Sequence, residues 1–292
     1  MIFQGAITAL VTPFKDGQLD EGALSDLVEW QVSLGIDGLV PCGTTGESVT
    51  LSALEHARVI KLVVERAKGR VPVLAGAGSV STRHTIELCQ AAKEAKADGV
   101  LLVAPYYNRP SREGLVAHFQ AVVRQVSMPV VLYNIPKRTG VDLDLDVLER
   151  LSSLSDIVGI KEATGQSLRS QEIVAAFGSR FAVLSGDDAI VLAIMAVGGQ
   201  GVISVTSNIV PDRIAKVVSL WNQGMVTQAR DLHFSLLPLH AAMFLESNPG
   251  PVKAALAQLG KISPELRLPL VQPLPATQQR IQAALAAAGV RA

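Results

Sequence analysis

The sequence predicts an α/β protein, a (β/α)8 TIM barrel followed by a C-terminal helical extension. Three observations predict it: short apolar runs recur eight times, longer amphipathic stretches separate them, and the repeat is even. The 195 residues between Ala6 and Gly201 divide into seven intervals of about 28, the length of one strand, one crossover helix and their turns. Strands are expected at Ala6–Val11, Gly38–Pro41, Val71–Ala75, Gly99–Ala104, Val130–Tyr133, Val158–Ile160, Ala182–Ser185 and Gly201–Val205. Nearly continuous apolar runs of this kind suit a parallel sheet covered on both faces. An open doubly wound sheet uses five or six strands, so eight evenly spaced ones favour a closed barrel.

Helices are expected between them at Leu51–Lys68, Thr82–Ala95, Arg112–Val126, Leu143–Leu151 and Leu168–Phe177, several opened by Ser, Thr or Asp at the cap position. After Val205 the pattern turns wholly helical, at Pro211–Gln223, Met225–Leu245, Pro251–Leu259 and Thr277–Ala288. Residues 1–224 therefore read as the catalytic barrel and 225–292 as a helical appendage.

Composition narrows the function. The 26 basic and 26 acidic side chains cancel. Without a basic field, neither a nucleic-acid backbone nor an anionic membrane is an expected partner. Apolar residues make up 49% before the 24 glycines are counted and charged residues only 18%, against about 25% charged in an ordinary soluble domain. That excess predicts a compact chain that associates with further copies. Cys42 and Cys89 make no disulfide framework and have no His or Cys at zinc-ligand spacing, so a cytoplasmic setting is expected. Met1–Gly5 has no secretory signature, and the longest apolar run, Ala189–Val197, falls far short of the roughly 20 residues that span a bilayer.

A barrel carries its active site at the C-terminal ends of its strands. The polar residues there are Gly43-Thr44-Thr45-Gly46-Glu47, Pro105-Tyr106-Tyr107-Asn108, Tyr133-Asn134, Lys161-Glu162 and Gly186-Asp187-Asp188. Lys161 ends an otherwise apolar strand, where an ammonium is costly; it either pairs with an acid or gives up its proton readily. A neutral amine in a barrel mouth attacks carbonyl carbons and forms an imine, an electron sink. Tyr133 is either a proton shuttle for that chemistry or a packed ring tied to backbone. The Thr44-Thr45 turn offers amides and hydroxyls to a carboxylate, but it is neither a dinucleotide fingerprint nor a P-loop.

The segments Gly43-Thr44-Thr45-Gly46-Glu47-Ser48, Pro105-Tyr106-Tyr107-Asn108-Arg109-Pro110, Tyr133-Asn134-Ile135-Pro136 with Arg138-Thr139-Gly140, Gly159-Ile160-Lys161-Glu162-Ala163-Thr164-Gly165 and Gly201-Val202-Ile203-Ser204 resemble those of the dihydrodipicolinate synthase family. So do Glu246-Ser247-Asn248-Pro249 and Leu266-Arg267-Leu268-Pro269, and the likeness runs from Gly5 to about Pro269. These are pyruvate-dependent, Schiff-base-forming class I aldolases. The resemblance implies a lyase of the 4-hydroxy-tetrahydrodipicolinate synthase branch, condensing pyruvate with L-aspartate 4-semialdehyde in the diaminopimelate route to lysine. It implies that Lys161 forms the imine, that Tyr133, Thr44 and Tyr107 relay protons, and that Tyr107 reaches in from a neighbouring subunit. Thr45 then matches the pyruvate carboxylate site, Arg138 the semialdehyde carboxylate site, and Gly186 and Ile203 backbone positions lining the pocket. A homotetramer built as a dimer of dimers is implied, with no cofactor beyond the covalent lysine imine and no metal.

Arg138 separates branches of the superfamily, because a guanidinium fork suits the carboxylate of a short amino-acid aldehyde better than a sugar chain. The competing readings are an N-acetylneuraminate or 2-keto-3-deoxy-sugar-acid aldolase sharing the lysine and tyrosine, and a non-catalytic keto-acid-binding paralogue. Intact Thr44, Tyr107 and Tyr133 oppose the latter. Many family members carry a lysine feedback site, which Ser48, His56 and Tyr106 fit. Ala53, Val80 and His84 stand where His, Asn and Glu are usual, so weak or absent inhibition by lysine is expected. Lys137, where a small residue is usual, leaves Arg138 in register. His118, His233 and His240 read as surface or helix-packing residues rather than ligands, Trp30 and Trp221 as packing residues, Cys42 as a buried small side chain, and Asp187-Asp188 as a strand-end cap rather than a metal site.

Overall fold

The computed structural model describes residues 2–291. Eight strands, β1 (Gly5–Ala9), β2 (Gly38–Val40), β3 (Leu74–Gly76), β4 (Gly99–Val103), β5 (Val130–Asn134), β6 (Ile157–Glu162), β7 (Ala182–Ser185) and β8 (Gly201–Ser204), form one parallel sheet in the order β2-β1-β8-β7-β6-β5-β4-β3. The two outermost strands meet: Leu39 bridges Val73, with the Leu39 N–H donating to Pro72 O at 3.0 Å and the Gly76 N–H to Pro41 O at 2.9 Å. The sheet thus closes into the expected barrel, and closure removes its free edges.

Alternation along each strand divides the apolar residues into two layers. Ile7, Val40, Leu74, Leu101, Val131, Tyr133, Leu184 and Ile203 point inward and pack with Phe3, which plugs the bottom. Ala6, Leu39, Ala75, Val100, Leu132, Ile160, Val183 and Val202 point outward against the helices. Because Ile160 faces out, Lys161 faces in. Strand β6 runs two residues beyond the expected Ile160, so Lys161 lies within the ladder, in register with Tyr133 on β5 and Leu184 on β7.

The helices are α1 (Glu21–Ser33), α2 (Ala53–Ala67), α3 (Thr82–Glu94), α4 (Arg112–Val126), α5 (Pro136–Thr139), α6 (Leu145–Ser152), α7 (Ser167–Phe177), α8 (Val191–Ala196), α9 (Pro211–Asn222), α10 (Val226–Ala242), α11 (Gly250–Gln258) and α12 (Pro275–Ala287). Helix α2 starts two residues later than expected because Ser52 and Glu55 close a capping box there. The elements that went unread in the sequence include α1, capped by Asp20, the short helices α5 and α8, and a hairpin pairing Phe14–Lys15 with Gln18–Leu19. Asp16 and Gly17 turn the hairpin with φ of 52° and 77°, the geometry that an Asp-Gly pair favours. Helix α9 packs on β1 as the ring's eighth helical layer. Leu236 and Leu239 of α10, Val252 and Leu256 of α11, and Ile281 and Leu285 of α12 continue the outer core. No helix among the described residues is long and apolar enough to cross a membrane.

One ion pair ties these later helices to the barrel mouth. Lys253 of α11 donates to Glu47 Oε1 at 2.6 Å, with both side chains fully buried, and also to Thr12 O at 2.9 Å. Glu47 Oε2 accepts from the Arg267 N–H at 3.1 Å, and the Arg267 guanidinium grips Glu55 of α2 at 2.6 and 2.9 Å. Lys253 Nζ and the Arg267 guanidinium lie 4.5 and 4.2 Å from the Phe14 ring centroid, so the hairpin lids the cluster. Removing one member of a buried pair leaves an uncompensated charge, which costs about 3–5 kcal/mol. Lys253→Met is therefore expected to lower the unfolding free energy by about that much. Glu47→Gln combined with Lys253→Met is expected to cost less than the two single changes together. Urea denaturation of the three variants checks this, and strict additivity would contradict it.

Candidate active site

The turn after β2 is built for strain at both ends, with Cys42 at φ 55° and Glu47 at φ 53°. Inside it the Gly46 N–H donates to Gly43 O at 3.1 Å and the Glu47 N–H to Thr44 O at 3.2 Å, while the Thr12 hydroxyl holds Gly46 O at 2.7 Å. Gly76 on β3 lets the turn settle against the barrel, since a Cβ there would overlap the Cys42 carbonyl. Thr44 consequently points into the mouth, and Glu47 is aimed back at Lys253.

A cavity of about 270 Å³ opens at this mouth, and its wall includes Thr44, Tyr106, Tyr133, Arg138 and Asn248. Lys161 stands behind the Tyr133 ring, with Nζ 4.3 Å from the ring centroid, and is 6% exposed. Burial pulls its ammonium down to about 8; Asp188 acts against that shift and Arg138 reinforces it. Among the described residues no acid pairs with Lys161, whose Nζ lies instead over the Tyr133 ring, so the salt-bridge reading of this residue does not hold. Burial pushes the Tyr133 phenol up, while a hydrogen bond with the Thr44 side chain and the charge of Arg138 draw it down. Phenol and hydroxyl are thus hydrogen-bonded to each other, and the lysine lies over the face of the phenol ring.

Arg138 sits on α5, the short helix that Pro136 starts directly after β5. Its Nη2 donates to the Asn248 carbonyl at 3.2 Å, and Asn248 Nδ2 donates to the Thr45 hydroxyl at 3.0 Å. Asn248 thereby joins the two carboxylate-binding candidates, and its Oδ1 is buried without a partner. Its role went unread, because Asn248 lies 203 residues from Thr45 in a segment with no local catalytic signature.

Of the candidates, Tyr133, Thr44 and Arg138 line the cavity, Lys161 lies behind the Tyr133 ring, and Thr45 is buried in the turn, 3% exposed. Ile203 belongs to the inward-facing layer. Gly186 ends β7 against β6, its N–H donating to Glu162 O at 2.7 Å, and a Cβ there would come within 2.6 Å of the Ala163 Cβ. Tyr107 does not join the cavity of its own chain: its ring is 91% exposed and its backbone is held at φ 68°. Cys42 is buried, and burial raises its thiol far above the range in which a thiolate forms. Asp187 caps the turn after β7 through the Ala189 N–H, and His118, His233 and His240 are all buried between elements.

The sequence matches the dihydrodipicolinate synthetase family over residues 2–288. The chain belongs to that family. A 4-hydroxy-tetrahydrodipicolinate synthase from Nitratidesulfovibrio vulgaris is 53% identical over 291 residues, covering 99% of this chain and all of the relative. The solved 4-hydroxy-tetrahydrodipicolinate synthase of Methylacidiphilum fumariolicum superposes with a TM-score of 0.97 at 45% identity, covering 98% of this chain and 96% of the other. The dihydrodipicolinate synthase of Acinetobacter baumannii, solved with pyruvate, gives 0.97 at 44% identity, covering 99% and 100%.

Asn248 supplies the prediction. Asn248→Ala removes the donor to Thr45 and a buried amide, and is expected to cost about 1–3 kcal/mol of stability. Thermal melting read beside a Thr45→Val control checks it; if the pair is coupled, the double variant melts no lower than the worse single one.

Proposed function

We infer that the chain works as a 4-hydroxy-tetrahydrodipicolinate synthase, a class I aldolase-type lyase that condenses pyruvate with L-aspartate 4-semialdehyde on the diaminopimelate route to lysine. The observation that carries the reading is a buried lysine with a depressed pKa, facing into a barrel mouth beside a Thr44–Tyr133 pair. Full-length relatives at about half identity support the choice of reaction.

The neutral Lys161 amine adds to the pyruvate carbonyl carbon. The carbonyl oxygen leaves as water, taking one proton from the amine and one delivered through Tyr133, and the nitrogen becomes an iminium cation. Loss of a methyl proton gives an enamine, whose carbon attacks the aldehyde. The semialdehyde's own amine then displaces Lys161 by transimination and closes the ring. Thr44 links to Tyr133, and Tyr107 completes the relay across a subunit boundary, which accounts for a tyrosine ring left in solvent by its own chain. Thr45 and its backbone amide receive the pyruvate carboxylate, Arg138 the semialdehyde carboxylate, and the backbones of Gly186 and Ile203 line the pocket. The assembly is a homotetramer, a dimer of dimers, acting in the cytoplasm.

Borohydride reduction with pyruvate followed by peptide mass mapping tests the reading; the adduct is expected on Lys161, and an unlabelled Lys161 in an active enzyme overturns it. The trapping rate is expected to rise about tenfold per pH unit up to about pH 8 and then level, as the ammonium loses its proton. A coupled assay comparing aspartate semialdehyde with N-acetylneuraminate and 2-keto-3-deoxy-gluconate separates the branches.

A second cavity of about 140 Å³ is lined by Ser48, Ala53, His56, Ser79, His84 and Tyr106, among others, with no carboxylate on its wall. Without an acid to receive an ammonium, free lysine is a poor ligand there. Initial rates are expected to change little up to millimolar lysine; a steep, cooperative loss below that concentration would contradict this.

A further inference from the structure

Asn134 and Glu162 stand at strand ends beside Tyr133 and Lys161 and take no part in the chemistry above. Neither lies on the wall of the substrate cavity. Along the β5–β6 ladder Tyr133 is opposite Lys161, and the next and last rung sets Asn134 opposite Glu162. The ladder is irregular at its start: Val130 pairs with Ile157 but Val131 pairs with Gly159, so Val158 is one extra residue on β6. Register matters here, since a slip of one residue would turn Lys161 out toward the helices and Glu162 into the mouth.

The last rung is polar, whereas the outward positions before it, Leu132 and Ile160, are apolar. Both of its side chains are buried, an expensive arrangement unless the polar atoms are paired. Asn134 Nδ2 donates to Glu162 Oε2 at 2.9 Å and to Asp142 Oδ1 at 2.7 Å, and Asn134 Oδ1 accepts from the Leu143 N–H at 3.1 Å. Glu162 Oε1 accepts from the Thr164 N–H at 2.6 Å. Two carboxylates on one side of the amide and an N–H on the other leave it a single orientation. Leu143 O in turn accepts from Arg169 Nη2 of α7 at 2.6 Å, so the pair is braced through the segment that follows α5.

Lys161 is held differently, with its Nζ 4.3 Å from the Tyr133 ring centroid. Where the amine stands relative to the phenol is therefore set by the two strands. Resting on the imine reading above, we propose that Asn134 and Glu162 are positioning residues of the reaction, a side-chain clamp across the last β5–β6 rung that holds the Tyr133 phenol and the Lys161 amine in register. An apolar pair would fill the same space without direction, whereas the amide and carboxylate close in one register only.

Glu162→Gln keeps the shape but leaves one oxygen for two donors, Asn134 Nδ2 and the Thr164 N–H. Borohydride trapping at saturating pyruvate, counted per folded molecule, is expected to slow about tenfold, since a misplacement of about 1 Å can cost on the order of a hundredfold. The pyruvate concentration for half-maximal trapping is expected to stay within about twofold of the native value, because neither residue lines the cavity. Asn134→Asp sets two carboxylates against each other and slows trapping in the same way. Combining the two substitutions restores an acceptor on β5 and a donor on β6, with the new amide's oxygen left for the Thr164 N–H. The double variant is expected to trap within about threefold of the native rate. A purely structural pair would lower the melting temperature and leave trapping per folded molecule native in Glu162→Gln, and that result overturns the proposal. So does a double variant no faster than the single ones. Should the buried variants fail to fold, a native rate in Asp142→Ala, which removes an exposed partner of the Asn134 amide, overturns it instead. Failure of the native enzyme to trap pyruvate on Lys161 removes the imine reading and this proposal together; trapping in the native enzyme with unchanged variants removes this proposal alone.

Discussion

The Glu47–Lys253 pair is the interaction on which the active end of this barrel depends. Two charges with no solvent contact are tolerated only when every lone pair and proton around them is used. Thr12 O, the Arg267 N–H and the Phe14 ring supply what the pair itself leaves over. Those groups come from Thr12–Phe14, just after β1, and from the region following α11, so satisfying one ion pair draws both ends of the chain onto the turn after β2. Glu47 also ends the turn that presents Thr44 and Thr45. The shape of the substrate cavity is therefore a consequence of where one carboxylate has to point.

Lys161 shows the same physics with the opposite outcome. Both lysines are buried in the same fold, yet Lys253 meets an acid at 2.6 Å and Lys161 meets the face of an aromatic ring. Burial lowers the Lys253 ammonium too, but the charge of Glu47 and its hydrogen bond oppose that shift. Partial compensation from Asp188 leaves Lys161 with a proton it can lose near pH 8.

Some of this was legible along the chain and some was not. The strand run Val130–Tyr133 and the helix Arg112–Val126 could be read nearly to the residue, since unbroken apolar stretches and a Ser cap are local signals. The end of β6 was misjudged by two residues, because Lys161 and Glu162 look like a break in an apolar strand until their neighbours Tyr133 and Leu184 are known. Asp16-Gly17 carried a hairpin signal that the short, half-polar flanks concealed. Lys161, Tyr133, Thr44 and Arg138 were visible as candidates because each sits at a strand end or just after one. Asn248 was visible only as part of a resembling segment, since its contacts with Thr45 and Arg138 span more than a hundred residues.

By itself the sequence determined the class of fold and the kind of chemistry: eight buried strands at even spacing admit few arrangements, and a lysine among them has few uses. Tertiary structure alone decided that Lys253 meets an acid while Lys161 lies against an aromatic ring, and that Asn248 bridges Thr45 and Arg138. The reason is range. Periodicity and capping act over a few residues and are written locally, whereas burial, charge compensation and proton affinity depend on everything within a few ångströms in space, which the closed barrel draws from both ends of the chain.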